Sequence, residues 1–145
     1  MIKVIVLISY LIAMSLCDIK DREVPVVVLV LFSINGVLNM IPKALGQGIY
    51  PDILLIIPGI LLVILAKCGG RNIGMADGIV IAGIGASLSI REYAVFALAL
   101  VMLTFAIAAV YICKGKKGGE RIAYIPVIGI AYIVSAVYSL ASSMF

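Results

Sequence analysis

Long apolar runs succeed one another along this chain, separated by short polar breaks, and no other feature limits its possible folds so severely. The runs cover residues 2–17, 24–41, 53–66, 78–90, 93–113 and 122–143. A helix crosses a hydrocarbon core of about 30 Å with about 20 residues at about 1.5 Å each. Six such helices use nearly all of the 145 residues. Strands are the other way to satisfy backbone hydrogen bonds in lipid, but these runs lack the apolar-out, polar-in alternation of a barrel strand.

Composition points the same way. Hydrophobic residues make up 65% of the chain and charged residues 12%, Trp and His are absent, and the mean hydropathy is +1.30. These values exclude an ordinary soluble domain. The expected fold is all-α: a polytopic membrane protein with six transmembrane helices in one bundle, residues 1–145 forming a single membrane-embedded domain. The first run has the look of a signal-peptide core, but no small-residue cleavage pattern precedes Asp18, Lys20 and Asp21. It reads as a retained first helix.

Charge sets the orientation. Loops one, three and five carry Lys20, Arg22, Lys67, Arg71, Lys114, Lys116, Lys117 and Arg121, against Lys3, Lys43 and Arg91 on the other side. The positive-inside rule then puts the odd loops in the cytoplasm and both termini outside a cell membrane. With six spans, Asp18 in loop one and Asp77 in loop three share the cytoplasmic face.

Helix length places these two aspartates in depth. The first run has 16 residues before Asp18, and the fourth has 13 between Asp77 and Arg91, which is about 24 Å and about 20 Å of helix. Both fall short of a bilayer. Extending each helix toward the cytoplasm draws Asp18 and Asp77 to the interface or just inside it; local thinning is the alternative. Ionisable groups there are costly and face protein or a water-filled cavity. Taken singly, each also reads as a helix cap or an ion-pair partner of Lys20, Arg22 or Arg71. Taken together, on one face and at similar depth, they point to function.

The fourth segment carries a small-residue face, Gly74, Gly78, Ala82 and Gly85 or Ala86, at three- and four-residue spacing. Such a face lets another helix approach closely. Gly69, Gly70, Arg71, Asn72, Ile73 and Gly74 form a flexible approach to Asp77 whose backbone is suited to pairing with an extended substrate.

Two aspartates within a few ångströms of each other cannot both ionise cheaply, so one keeps its proton while the other serves as a base. The pair then titrates as a unit. The charged member takes a proton from a water that attacks a scissile carbonyl, the neutral member hydrogen-bonds that carbonyl oxygen, and a proton passes to the leaving amine. This is aspartic protease chemistry, and it needs no cofactor or metal. Lys20 and Arg22 would oppose it by favouring both ionised forms, so they are expected to snorkel toward headgroups.

Gly74-Met75-Ala76-Asp77 resembles the Gly-x-Gly-Asp motif of intramembrane aspartyl proteases. Asp18, followed by Lys20, Arg22 and Val24-Pro25, is similar to the first-aspartate segment of type IV prepilin peptidases, and Tyr124-Ile125-Pro126-Val127 resembles that family's late proline motif. The six-helix plan and the aspartate spacing agree over essentially the whole chain, which looks like the short, peptidase-only form. The resemblance implies cleavage of a basic leader peptide from prepilin-like proteins at the cytoplasmic membrane face. Asp18 and Asp77 would be the catalytic pair, with Gly74, Met75, Ala76 and Pro126 shaping the site. The implied substrate has a basic leader and an apolar helix; no nucleic-acid partner is expected. Three positions depart from the family pattern. Ala76 replaces the second glycine, and alanine there is strained if the position needs positive φ. Val26 follows Pro25 where Asn is frequent, and Val127 follows Pro126 where Phe is frequent. Longer members carry a cysteine-rich insertion and methylate the new N-terminus; nothing here matches it, and no methyltransferase activity is expected.

Cys17, Cys68 and Cys113 each end an odd-numbered span and lack any C-x-x-C spacing, so they read as small interfacial hydrophobes. Asp21 competes with Asp18 for the first catalytic role but lies about one turn farther into water. Asp52 reads as a helix cap after Pro51, and Glu92 as a solvated charge beside Arg91. Lys114, Lys116 and Lys117 among Gly115, Gly118 and Gly119 form a basic loop attracted to anionic lipid, and Glu120 reads as a solvated charge, with steering of a basic leader as its alternative role. Pro25 and Pro126 suit helix starts, whereas Pro58 is expected to kink span three.

Two other classes of function use the same residues. One is a small proton- or cation-coupled carrier in which Asp18 and Asp77 bind the ion. The other is a non-catalytic assembly subunit of a pilus or secretion apparatus, for which Ala76 is the best argument.

Overall fold

The computed structural model describes residues 2–21, 23–47, 54–68, 74–113 and 123–142. Among these residues every regular element is a helix: α1 (Ile2–Asp21), α2 (Val26–Gln47), α3 (Ile57–Cys68), α4 (Met75–Ser87), α5 (Ile90–Cys113) and α6 (Ile125–Ser142). The all-α expectation holds, with one helix for each apolar run. Of the six, α5 and α6 are long and apolar enough, by length and composition, to cross a membrane.

Helix starts follow local chemistry. The Pro25 carbonyl accepts the N–H groups of Val28 (3.0 Å) and Leu29 (3.2 Å), opening α2. Residues 54–56 form a turn, and Pro58 is the second residue of α3. A proline in the first turn lacks an N–H that would have no intrahelical partner anyway. The kink expected from Pro58 is therefore not formed; the proline initiates the helix instead. Between α4 and α5 the chain turns at Leu88 and Ser89, where the Leu88 N–H donates to the Ile84 carbonyl at 3.1 Å.

Helix α4 is the centre of the site's half of the bundle, packed between α2 and α3, while α6 packs against α1 and α5 and also touches α4. Small residues make this possible on two sides of α4. A Cβ placed on Gly59 of α3 would collide with the backbone of Ala82, and one on Gly78 would meet Val63 at 2.8 Å. The small-residue face read from the sequence is thus the α3 contact. The second close approach, which the sequence reading missed, sets Gly83 against the Phe32 ring and Gly36 of α2. Phe32, Val80, Ile84, Phe96, Ile128 and Tyr132 fill the core beside it. The outer surface is apolar too: Ile112, Val26 and Phe105 are 79%, 73% and 71% exposed. Exposed apolar surface on this scale marks a membrane or partner contact.

Candidate functional site

Both aspartates lie inside helices. The sequence placed Asp18 just past the first helix, but α1 continues to Asp21, so Asp18 stands about one turn before its end. Asp77 is the third residue of α4. Helix α1 extends past its apolar run as expected. Helix α4 instead starts three residues before its run and ends at Ser87, so that its 13 residues are shifted to include Asp77 without being lengthened.

Asp18 is half-buried, and its Oδ2 accepts the backbone N–H of Ile125 at 3.1 Å, across 107 residues of sequence. The start of α6 explains why that donor is free. The first N–H groups of a helix have no partner within it. Here Val127 and Ile128 donate to the Tyr124 carbonyl at 3.0 and 3.1 Å, Pro126 has no N–H, and Ile125 is left to Asp18. Asp18 is therefore a cap, as the simpler reading allowed, but for a helix distant in the chain. Asp21 and Lys20 are exposed. This separates Asp18 from its competitor and leaves Lys20 exposed.

Asp77 owes its position to Gly74. Gly74 is the N-cap of α4, with φ −72° and ψ 119°, and its carbonyl accepts the Asp77 N–H at 3.2 Å. A Cβ on Gly74 would sit 2.5 Å from Asp77 Oδ2 and 3.1 Å from its Cγ. The glycine is needed for volume, not for an unusual backbone. Ala76 lies within α4 and packs partly buried against the core. Its helical backbone carries no strain for alanine, so the departure from Gly-x-Gly-Asp is accommodated at that position.

Asp18 and Asp77 lie within electrostatic reach of one another. Two carboxylates within such reach repel one another when both are charged. Helix α6 ties the two sides together, since it packs on α1 and also touches α4.

An apolar groove of about 570 Å³ runs between α2 and α4, lined from Val26 to Leu38 on α2 and by Met75, Ala76 and Ile79 on α4, the residues on either side of Asp77 in the sequence. Its one hydroxyl, Ser33, donates back to the Leu29 carbonyl at 2.8 Å. The groove's span along α2 is about 18 Å, twelve residues of rise.

Glu92 is not the solvated charge expected from the sequence. It forms a capping box with Ser89: Glu92 Oε2 accepts the Ser89 N–H and hydroxyl, each at 2.8 Å, and the Glu92 N–H donates to Ser89 Oγ at 3.5 Å. From α6, Ser139 donates to Glu92 Oε1 at 2.5 Å and Ser135 to the Glu92 carbonyl at 2.7 Å. A Ser-x-x-Glu pattern is legible as a capping box; the serines of α6 are not legible beforehand. This cluster sits at the opposite end of α4 from Asp77.

Asp52, Arg22, Arg71 with the rest of the Gly69–Ile73 approach, and the basic loop with Glu120 all lie outside the described residues. Cys17 is a half-buried free thiol, and Cys68 and Cys113 are exposed ones. No protein-family model, curated protein or solved structure matches this chain.

Proposed function

We propose that this chain is a six-span membrane aspartic endopeptidase of the prepilin peptidase type, removing basic leader peptides with Asp18 and Asp77 as its catalytic pair. The observation that carries this reading is the convergence of two half-buried carboxylates from distant helices at one end of the bundle. In this reading the odd loops face the cytoplasm, both termini lie outside, and anionic lipid surrounds the basic loops.

Asp18 is assigned as the charged member, since it accepts an N–H at the positive end of α6. Asp77 then holds the shared proton. Asp18 takes a proton from water as the water oxygen bonds to the scissile carbonyl carbon, and Asp77 donates its proton to the carbonyl oxygen. Collapse of the resulting gem-diol returns a hydroxyl proton to Asp77, while Asp18 passes its proton to the amine as the C–N bond breaks. The pair ends as it began. The groove beside Met75 and Ala76 suits the apolar helix that follows a leader, laid along α2 with the scissile bond at Asp77. The carrier reading is less well supported, because both carboxylates lie near helix ends and not at mid-helix.

The test is incubation of the purified full chain with a peptide bearing a basic leader and an apolar segment. Cleavage is expected, and Asp18→Asn and Asp77→Asn are each expected to lower it by about 10²-fold or more, the usual worth of a general acid or base. Asn at position 18 still accepts the Ile125 N–H, so that variant keeps its fold. Undiminished cleavage in either variant would refute the dyad, and ion uptake into liposomes without cleavage would favour the carrier.

A further inference from the structure

We infer that Thr104 and Tyr124 form a positioning lock that aims the Ile125 N–H at Asp18; this rests on the peptidase reading for its catalytic consequence, though not for its existence. Thr104 Oγ1 donates to the Leu100 carbonyl at 2.7 Å and lies 2.6 Å from the Tyr124 hydroxyl. A threonine hydroxyl has one proton, and here it is spent on Leu100. Tyr124 is therefore the donor and Thr104 Oγ1 the acceptor. The bond ties the N-cap residue of α6 to the middle of α5 across 20 residues.

The peptide unit joining Tyr124 to Ile125 is planar, so its C=O and its N–H turn together. Its carbonyl end is held by the N–H groups of Val127 and Ile128. Its N–H end meets Asp18 Oδ2. The Tyr124 hydroxyl adds a third, lateral anchor, on the side of the unit that neither α1 nor α6 supports. Without it the two ends of the peptide unit and the packing of Tyr124 alone hold the entry to α6, and the Ile125 N–H is fixed less firmly in its direction toward Asp18. Both residues are assigned to act through the Ile125 amide, as positioning residues, and Pro126 offers no N–H to compete for Asp18.

The lock is tested in the full chain by Tyr124→Phe, Thr104→Val, their double variant and Thr104→Ser. Expected in the peptide cleavage assay is a loss of about tenfold to a hundredfold in kcat with KM little changed, as for a misdirected catalytic group. The double variant is expected to lose no more than the worse single one, because one bond is removed in each case. Thr104→Ser, which restores the acceptor, is expected to recover kcat. Independently of any activity, exchange of the Ile125 amide proton, followed in protein labelled with ¹⁵N-isoleucine, is expected to be slow in the wild type. It should speed up in Asp18→Ala and in Tyr124→Phe. Additive losses in the double variant, or Ile125 exchange unmoved by Tyr124→Phe, would overturn the lock. A wild-type chain that cleaves nothing would instead count against the peptidase reading, and the exchange measurement would still decide the lock.

Discussion

Gly74 and Asp77 compete for one small volume: the carboxylate of Asp77 folds back over the N-cap of α4, and its Oδ2 lies 2.5 Å from where a Gly74 side chain would begin. A glycine three residues before the aspartate is thus a steric requirement of the carboxylate's position. The backbone at Gly74 is one that other residues adopt readily.

Gly74→Ala therefore tests placement without removing any reacting group. The methyl should displace the Asp77 carboxylate from its present position. Cleavage is expected to fall by about 10²-fold, the cost of roughly 1 Å of displacement at a catalytic group. Helix content by circular dichroism should be unchanged, and wild-type turnover in this variant would remove Gly74 from the site.

A pair sharing one proton gives a bell-shaped pH profile. Below the lower apparent pKa both acids are neutral and no base is present; above the upper one both are ionised and no donor remains. Activity should fall on both sides of the maximum. A profile that rises or falls monotonically through the same range would rule out a shared proton.

Ser139 and Glu92 bind α6 to α5 at the end of the bundle away from the aspartates. Ser139→Ala removes a donor from a half-buried carboxylate, and a loss of about 1–3 kcal/mol is expected. The loss should appear as a lower unfolding midpoint in detergent, with cleavage per folded molecule unchanged. Equal stability would mean that water replaces the serine.

Native thiols report the topology. Cys68 and Cys113 are exposed last residues of α3 and α5, and the proposed six-span topology puts both on the cytoplasmic side. A membrane-impermeant maleimide should modify both in inverted vesicles and neither in right-side-out ones. Modification from opposite sides would put loops three and five on different faces and refute the six-span topology.

Much of this architecture is present in the residues themselves. Six apolar runs became six helices because a backbone under apolar side chains must satisfy its own hydrogen bonds, and local pairing is the simplest way. Both helices include their aspartates, α1 by lengthening past its short run and α4 by starting three residues before it. What the residues alone did not determine is rotation. Helices that are apolar all round carry no stripe to say which side meets a neighbour. Only packing decided that Asp18 and not Asp21 faces inward, that Ile125 donates to it, that Gly83 meets Phe32, and that Glu92 is claimed by serines of α6. Such contacts join residues far apart in the chain, and their geometry is set by the shapes of several helices at once.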